Sequence, residues 1–129
     1  MIHFALVSNK INEQYAVALK PYGISKQQFN VLRILRGQKG KPANLSTINE
    51  RMVTKMSNTT RLVDKLITKG YVDRSVCPSN RRKVEILITT TGKKVLEKLD
   101  AAMQETENEI LKDFSKKELE ILNTLLDKF

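Results

Sequence analysis

The stretch Met56-Ser57-Asn58-Thr59-Thr60-Arg61-Leu62-Val63-Asp64-Lys65-Leu66 constrains this chain more than any other. At helical spacing, Thr59, Leu62, Val63 and Leu66 share one face and are expected in a core. Ser57, Thr60, Arg61 and Asp64 share the opposite face, with Asn58 on the flank. Thr54 is placed to cap the start of this helix, and Gly70 to end it one turn past Leu66. The outer face carries small hydroxyls, an amide and one arginine near its middle, where solvated helix faces carry more Glu and Lys. Small polar groups let a helix backbone approach a surface closely, as a helix lying in a DNA major groove must. An ordinary amphipathic helix with a weakly polar face has the same pattern, so the flanking segments decide between the two.

Charge is the first of those flanking signals. The net charge is +9 with a pI near 9.8, an excess that predicts affinity for a polyanion. It is unevenly placed. Residues 55–83 hold eight Lys/Arg against two Asp, whereas residues 99–129 hold four Lys against eight Asp/Glu. That asymmetry fits a molecule with one side facing nucleic acid and another facing elsewhere. The 129 residues suit a single subunit, with an aliphatic core because aromatics are 5% and Trp is absent. Cys77 is the one cysteine, so no internal disulfide is expected. There is no apolar run long enough for a membrane span, and the apolar start lacks the basic region of a secretion signal. The expected location is the cytoplasm, with no membrane partner.

The remaining segments read as elements in a definite order. Residues 2–19 follow helical spacing through Phe4, Val7, Ile11, Tyr15, Ala18 and Leu19, ending at Pro21 and Gly23. Ser25-Lys26-Gln27-Gln28 is a capping box that opens a second helix with Phe29, Leu32 and Leu35 as its seam, broadened by Val31 and Ile34. After Gly37-Gln38-Lys39-Gly40 and the linker Lys41-Pro42-Ala43-Asn44, a third helix over residues 45–52 buries Ile48 and Met52. Val53-Thr54 connects it tightly to the polar-faced helix, which makes a helix-turn-helix. A hairpin follows: Val72, Arg74 and Val76 alternate, as do Val84, Ile86 and Ile88. Residues 77–83 are read as its loop, with Arg81, Arg82 and Lys83 at the tip. Three cations there suit either a solvated loop or a wing that reaches an adjacent minor groove. A long helix over residues 90–113 and a last one over 116–128 complete the chain, the latter opened by the capping box Ser115-Lys116-Lys117-Glu118. The first and last helices are apolar enough to require a partner surface, which suggests a second subunit.

This order resembles the MarR family of bacterial transcriptional regulators. The resemblance rests on Gln28-Phe29-Asn30-Val31-Leu32-Arg33-Ile34-Leu35, on Ser57-Asn58-Thr59-Thr60-Arg61-Leu62-Val63-Asp64-Lys65-Leu66 and on Lys69-Gly70-Tyr71-Val72-Asp73-Arg74. Asn80-Arg81-Arg82-Lys83-Val84 and Ile88-Thr89-Thr90-Thr91-Gly92 complete it. It implies a mainly α fold: a winged helix-turn-helix lobe over residues 25–92, and a helical dimerisation region over residues 1–20 and 93–129. It further implies a homodimer that binds double-stranded DNA at an inverted repeat, the two recognition helices meeting major grooves about 34–36 Å apart. Arg82 matches the family's minor-groove arginine. Asn80 stands where the family carries an aspartate, so the wing tip here is more positive.

Major-groove contacts are expected from Ser57, Asn58, Thr60 and Arg61. Arg61 suits guanine or phosphate, and Asn58 suits adenine. Lys55 and Lys65 suit phosphate, Lys65 equally a solvated role, while Ser46 and Thr47 are weaker phosphate candidates. Asp64 is expected to orient Arg61 or to pair with Lys65 or Lys69. Relatives bind small aromatic or anionic effectors between the dimer helices and the DNA-binding lobe. Tyr15, Tyr22, Phe29 and His3 are candidates to line such a cleft, against simple packing roles for each. No cofactor and no metal site is expected, since His3 is the only histidine and has no Cys or His cluster near it; Cys77, next to cations that favour a thiolate, suits either a redox sensor or, as expected here, a plain unreactive thiol. Without a Gly-rich phosphate loop or a nucleophile–base pair, an enzyme is not expected. The competing readings are a winged-helix module for protein interaction and a non-specific DNA-binding module.

Overall fold

The computed structural model describes residues 2–52 and 58–129; for Cys77 and residues 81–83 it describes the backbone only. The elements in chain order are α1 (Ile2–Leu19), a 3-10 turn (Lys20–Tyr22), α2 (Lys26–Gly37), α3 (Leu45–Arg51), α4 (Thr59–Thr68), β1 (Val72–Cys77), β2 (Asn80–Ile88), α5 (Thr90–Leu111) and α6 (Lys116–Leu126).

Local chemistry sets most boundaries. Gly23 takes the left-handed conformation, with φ of +64°, and turns the chain between α1 and α2. Ser25 then caps α2 as a full capping box: Gln28 N–H donates to its Oγ at 3.1 Å, and its own N–H donates to Gln28 Oε1 at 2.9 Å. Asn44 caps α3 by accepting from the Thr47 amide at 2.7 Å. Ser115 and Glu118 repeat the capping box at α6. Accepting the Ser115 backbone N–H, and then its side-chain hydrogen bond, holds the Glu118 carboxyl below its usual pKa. A lowered carboxylate pKa gives stability that is present above the ordinary glutamate range and lost as the pH falls through the folded-state value. The first turn of α6 should therefore fray on acidification. Lower hydrogen-exchange protection at the Ser115 and Glu118 amides, relative to their intrinsic rates at each pH, would report it, and Glu118→Gln should remove the acid dependence.

The core lies where α2, α4, the base of the hairpin and α5 meet. Leu19, Leu32, Ile48, Leu66, Ile86, Leu96 and Leu99 are fully buried there. Helix α5 packs against both α1 and α2, while α4 packs against α2, α3 and β1. Gly92 in the first turn of α5 sits against the carbonyl of Tyr71 and the side chain of Ile88. Ala43 exchanges two backbone hydrogen bonds with Ile86, at 3.0 and 2.7 Å, which anchors the hairpin base to the α2–α3 linker.

The terminal helices behave differently. Leu19 is the only buried residue described in α1, and α6 has none. Ile2, Phe4, Leu6, Val7 and Val17 of α1 are exposed, as are Ile121, Leu122, Leu125, Leu126 and Phe129 at the other end. Phe4 and Phe129 meet with ring centroids 6.0 Å apart, so the two ends of the chain form one apolar surface.

Candidate nucleic-acid interface

Helix α4 separates its faces as the sequence pattern requires. Thr59, Leu62, Val63 and Leu66 are buried; Thr60, Arg61, Asp64 and Lys65 are exposed. The helix ends in a Schellman arrangement, in which Tyr71 N–H donates to Leu66 O at 3.0 Å and Gly70 N–H to Ile67 O at 2.9 Å. Gly70 has φ of +79°, the left-handed value that closure needs. The Thr59 hydroxyl donates to Asn49 Oδ1 at 3.0 Å, tying α4 to α3. That contact was not anticipated from the sequence, because a threonine on an apolar face reads simply as core.

Asn58 stands at the N-cap position without making a side-chain cap. Its Oδ1 is buried and has no hydrogen-bond partner among the described residues. A two-point contact with an adenine edge needs that oxygen as well as the amide nitrogen, so Asn58 must turn to make it. Thr54, Lys55 and Ser57 lie outside the described residues. Ser46 is exposed at the start of α3; Thr47 is half-buried, its backbone N–H already committed to Asn44.

The hairpin differs from expectation. Residues 77–83 are not a loop: β1 runs through Cys77, the turn is Pro78-Ser79, and β2 begins at Asn80. Arg81, Arg82 and Lys83 therefore lie in the first part of β2 rather than at the tip. The register explains how. Val76 pairs with Val84, but the next residue, Cys77, pairs with Asn80. Residues 81–83 are thus extra length on β2 at a bulge, and bulges bend and twist a strand. An extended edge accepts long cationic side chains as readily as a loop does. The side chains of these three residues lie outside the described ones.

Asp64 also departs from expectation. It pairs with Arg74 of β1, Nη1 to Oδ1 at 3.0 Å, and not with Arg61, Lys65 or Lys69. The available signal was Arg74 itself, a cation in the alternation otherwise filled by Val72 and Val76. A second long-range pair, Arg36 with Asp100, joins α2 to α5.

Behind α4 lies an open cleft of about 1380 Å³ between α1, α2, α4 and α5. Tyr15 and Phe29 line it; Tyr22 and His3 do not. Lys65, Thr68 and Lys69 bring the second half of α4 to its rim, so Lys65 faces this cleft as well as solvent. Lys26 lies over the Tyr15 ring at 5.4 Å and donates to Asn12 Oδ1 at 2.6 Å. Burial, and then the nearby Glu107 carboxylate, raises the Tyr15 pKa and keeps its phenol neutral. Among the described residues no cluster of three or more His, Cys, Asp and Glu side chains could hold a metal, and no helix is long and apolar enough to cross a membrane.

Two helices tied together, the second with a polar outward face and followed directly by an antiparallel hairpin, define a winged helix-turn-helix protein. This chain matches the MarR family model over residues 24–84. It is 32% identical over 92 residues to YcgE of Bacillus subtilis strain 168, described as an uncharacterized HTH-type transcriptional regulator. That match takes in 71% of this chain and 54% of the relative, so the chain spans about half of that protein's length. A MarR-like transcription regulator from Bacillus cereus ATCC 10987 superposes with a TM-score of 0.88 at 27% identity, over 98% of this chain and 89% of that one. A cysteine-to-serine mutant of MarR from E. coli, complexed with operator DNA, superposes with a TM-score of 0.82 at 26% identity, over 97% and 89% respectively.

Proposed function

We propose that the protein is a dimeric, sequence-specific DNA-binding transcriptional regulator that acts in the cytoplasm, and not an enzyme. The observation that carries this reading is α4: its buried face is fully committed to the core, and Thr60 and Arg61 stand exposed on the other. That the E. coli protein of the same fold is complexed with operator DNA supports DNA as the partner. Lys55, Ser57, Asn58, Thr60 and Arg61 contact the major groove and its phosphates; Arg81, Arg82 and Lys83 of the wing serve the minor groove; Ser46 and Thr47 approach phosphate. The apolar faces of α1 and α6 bury each other across a two-fold axis in a homodimer. The protein acts as a repressor, and a small aromatic or anionic effector in the cleft releases it. Tyr15 and Phe29 offer ring surfaces there, and Lys20, Lys26, Arg33, Lys65 and Lys69 outnumber Asp100 and Glu107.

Selection of bound sequences from a random duplex pool at about physiological salt tests the central claim. An enriched inverted repeat with half-sites one helical turn apart is the expected result. Binding without enrichment, lost as salt rises, would leave only a basic surface and overturn sequence-specific regulation. On the selected repeat, Arg61→Ala should cost about 1–3 kcal/mol per half-site if the guanidinium reads a base. The loss should then fall chiefly on one base position of each half-site, as a binding series over single-position variants of the repeat would show.

A further inference from the structure

The alternation in β1 has one member that burial does not explain. Val72, Arg74 and Val76 share a face of the strand. Val72 is buried against the core, and the β2 partner of Arg74 is the fully buried Ile86. A long cation at that register needs a reason, and Asp64 supplies it. Asp64 lies on the outward side of α4, one turn after Thr60 and Arg61, where a carboxylate faces the polyanion and works against binding. Lys65 and Lys69 are nearer in sequence, yet the cation that meets it comes from the wing strand, at 3.0 Å. The chain link between the two elements is only Lys69-Gly70-Tyr71, turned at Gly70. The Ala43–Ile86 bridge holds the base of the hairpin, whereas its outer part, including Val76, is exposed. The ion pair sits between these two zones.

We propose that Arg74 is a positioning residue: through Asp64 it sets the angle of the wing against α4, so that helix and wing meet neighbouring grooves as one unit, and it cancels the negative charge on that side. This inference rests on the DNA-binding reading above. Both side chains are partly open to water, at 38% and 54% exposure, and ion pairs so placed add little to global stability. The expected signature is therefore local, and specific to the selected duplex.

The test uses the full chain with Asp64→Asn, Arg74→Gln and the exchanged pair Asp64→Arg with Arg74→Asp. In the free protein, hydrogen exchange of the β1 amides should rise about threefold to tenfold in each single variant, relative to α2, and return toward the original rate in the exchanged pair. On the selected inverted repeat, both single variants should bind about threefold to tenfold more weakly. For Asp64→Asn that is opposite to what removal of a negative charge does by itself. The salt dependence of Arg74→Gln should match that of the unaltered protein; a slope smaller by about one would place Arg74 on a phosphate and overturn the positioning role. Unchanged β1 exchange in both single variants, or an Asp64→Asn protein that binds the repeat as tightly as the original or tighter, would also overturn it. An unaltered protein that selects no sequence overturns the DNA-binding reading and the role of the pair with it. Unchanged exchange with selection intact overturns the pair alone.

Discussion

Gly92→Ala should destabilise the fold by on the order of 3 kcal/mol, enough to lower the thermal midpoint by about 10 °C. A Cβ at this position would stand 2.1 Å from the Tyr71 carbonyl oxygen and 2.8 Å from Ile88 Cγ1. The Ile88 side chain has some room to turn, but the Tyr71 carbonyl does not. It accepts the Thr89 amide at 3.0 Å, while the Thr89 hydroxyl donates to Gly70 O at 2.7 Å and accepts from the Gly92 amide at 2.9 Å. These bonds stitch the first turn of α5 onto the turn between α4 and β1. Relieving the collision means breaking them, at a place where α4, the hairpin and α5 converge. Gly37→Ala is the control, because nothing lies within 4 Å of its added methyl. It should be neutral or stabilising by about 0.5 kcal/mol, from helix propensity and a stiffer unfolded chain. Urea and thermal unfolding of the two variants would separate the cases; an unshifted midpoint for Gly92→Ala would mean that α5 does not start against Tyr71.

What could be read from the sequence was chiefly local. The capping boxes at Ser25 and Ser115 are set by residues three apart, so their geometry follows from the chain itself. The buried face of α4 follows from helical periodicity, and the αL closure at Gly70 from the absence of a Cβ. The extent of the wing was not legible. Pro78, Ser79 and Asn80 all suit turns, and three cations in a row look like a loop, yet the extended backbone resumes at Asn80 because a bulge absorbs residues 81–83. Nor could the partner of Asp64 be found by spacing. Lys65 and Lys69 are nearer to it in sequence, and only the packing of β1 beside α4 brings Arg74 against it. The cleft belongs to the same class. Tyr15 and Phe29 come together through the angle between α1 and α2, which no periodicity encodes, while Tyr22 and His3 fall elsewhere. Local rules thus place the recognition helix; long-range packing decides what stands beside it.

The largest functional effect is expected from residues that touch no DNA. In the single subunit Ile121 and Leu125 are about half exposed and lie on one stripe of α6 that continues to Phe129, which meets Phe4 of α1. Lysine at both positions therefore loses little packing within the subunit, because its methylene stem covers much of what Ile or Leu covers, and the subunit should stay folded. In a two-fold dimer built on these faces, the same change places four cations in an apolar seam, where their desolvation is unfavourable. The unaltered protein should sediment at about twice the 14.8 kDa subunit mass, and the Ile121→Lys/Leu125→Lys protein as the subunit. Affinity for the full inverted repeat should then fall by about 10²–10⁴-fold, because the second winged helix no longer benefits from the effective concentration set by the first. Affinity for an isolated half-site should be unchanged, since α4 and the wing are untouched. That split between full site and half-site distinguishes loss of the dimer from loss of the reading head. A double variant that remains dimeric would move the interface off α6, and an unaltered protein that sediments as a single subunit would remove the two-fold arrangement altogether.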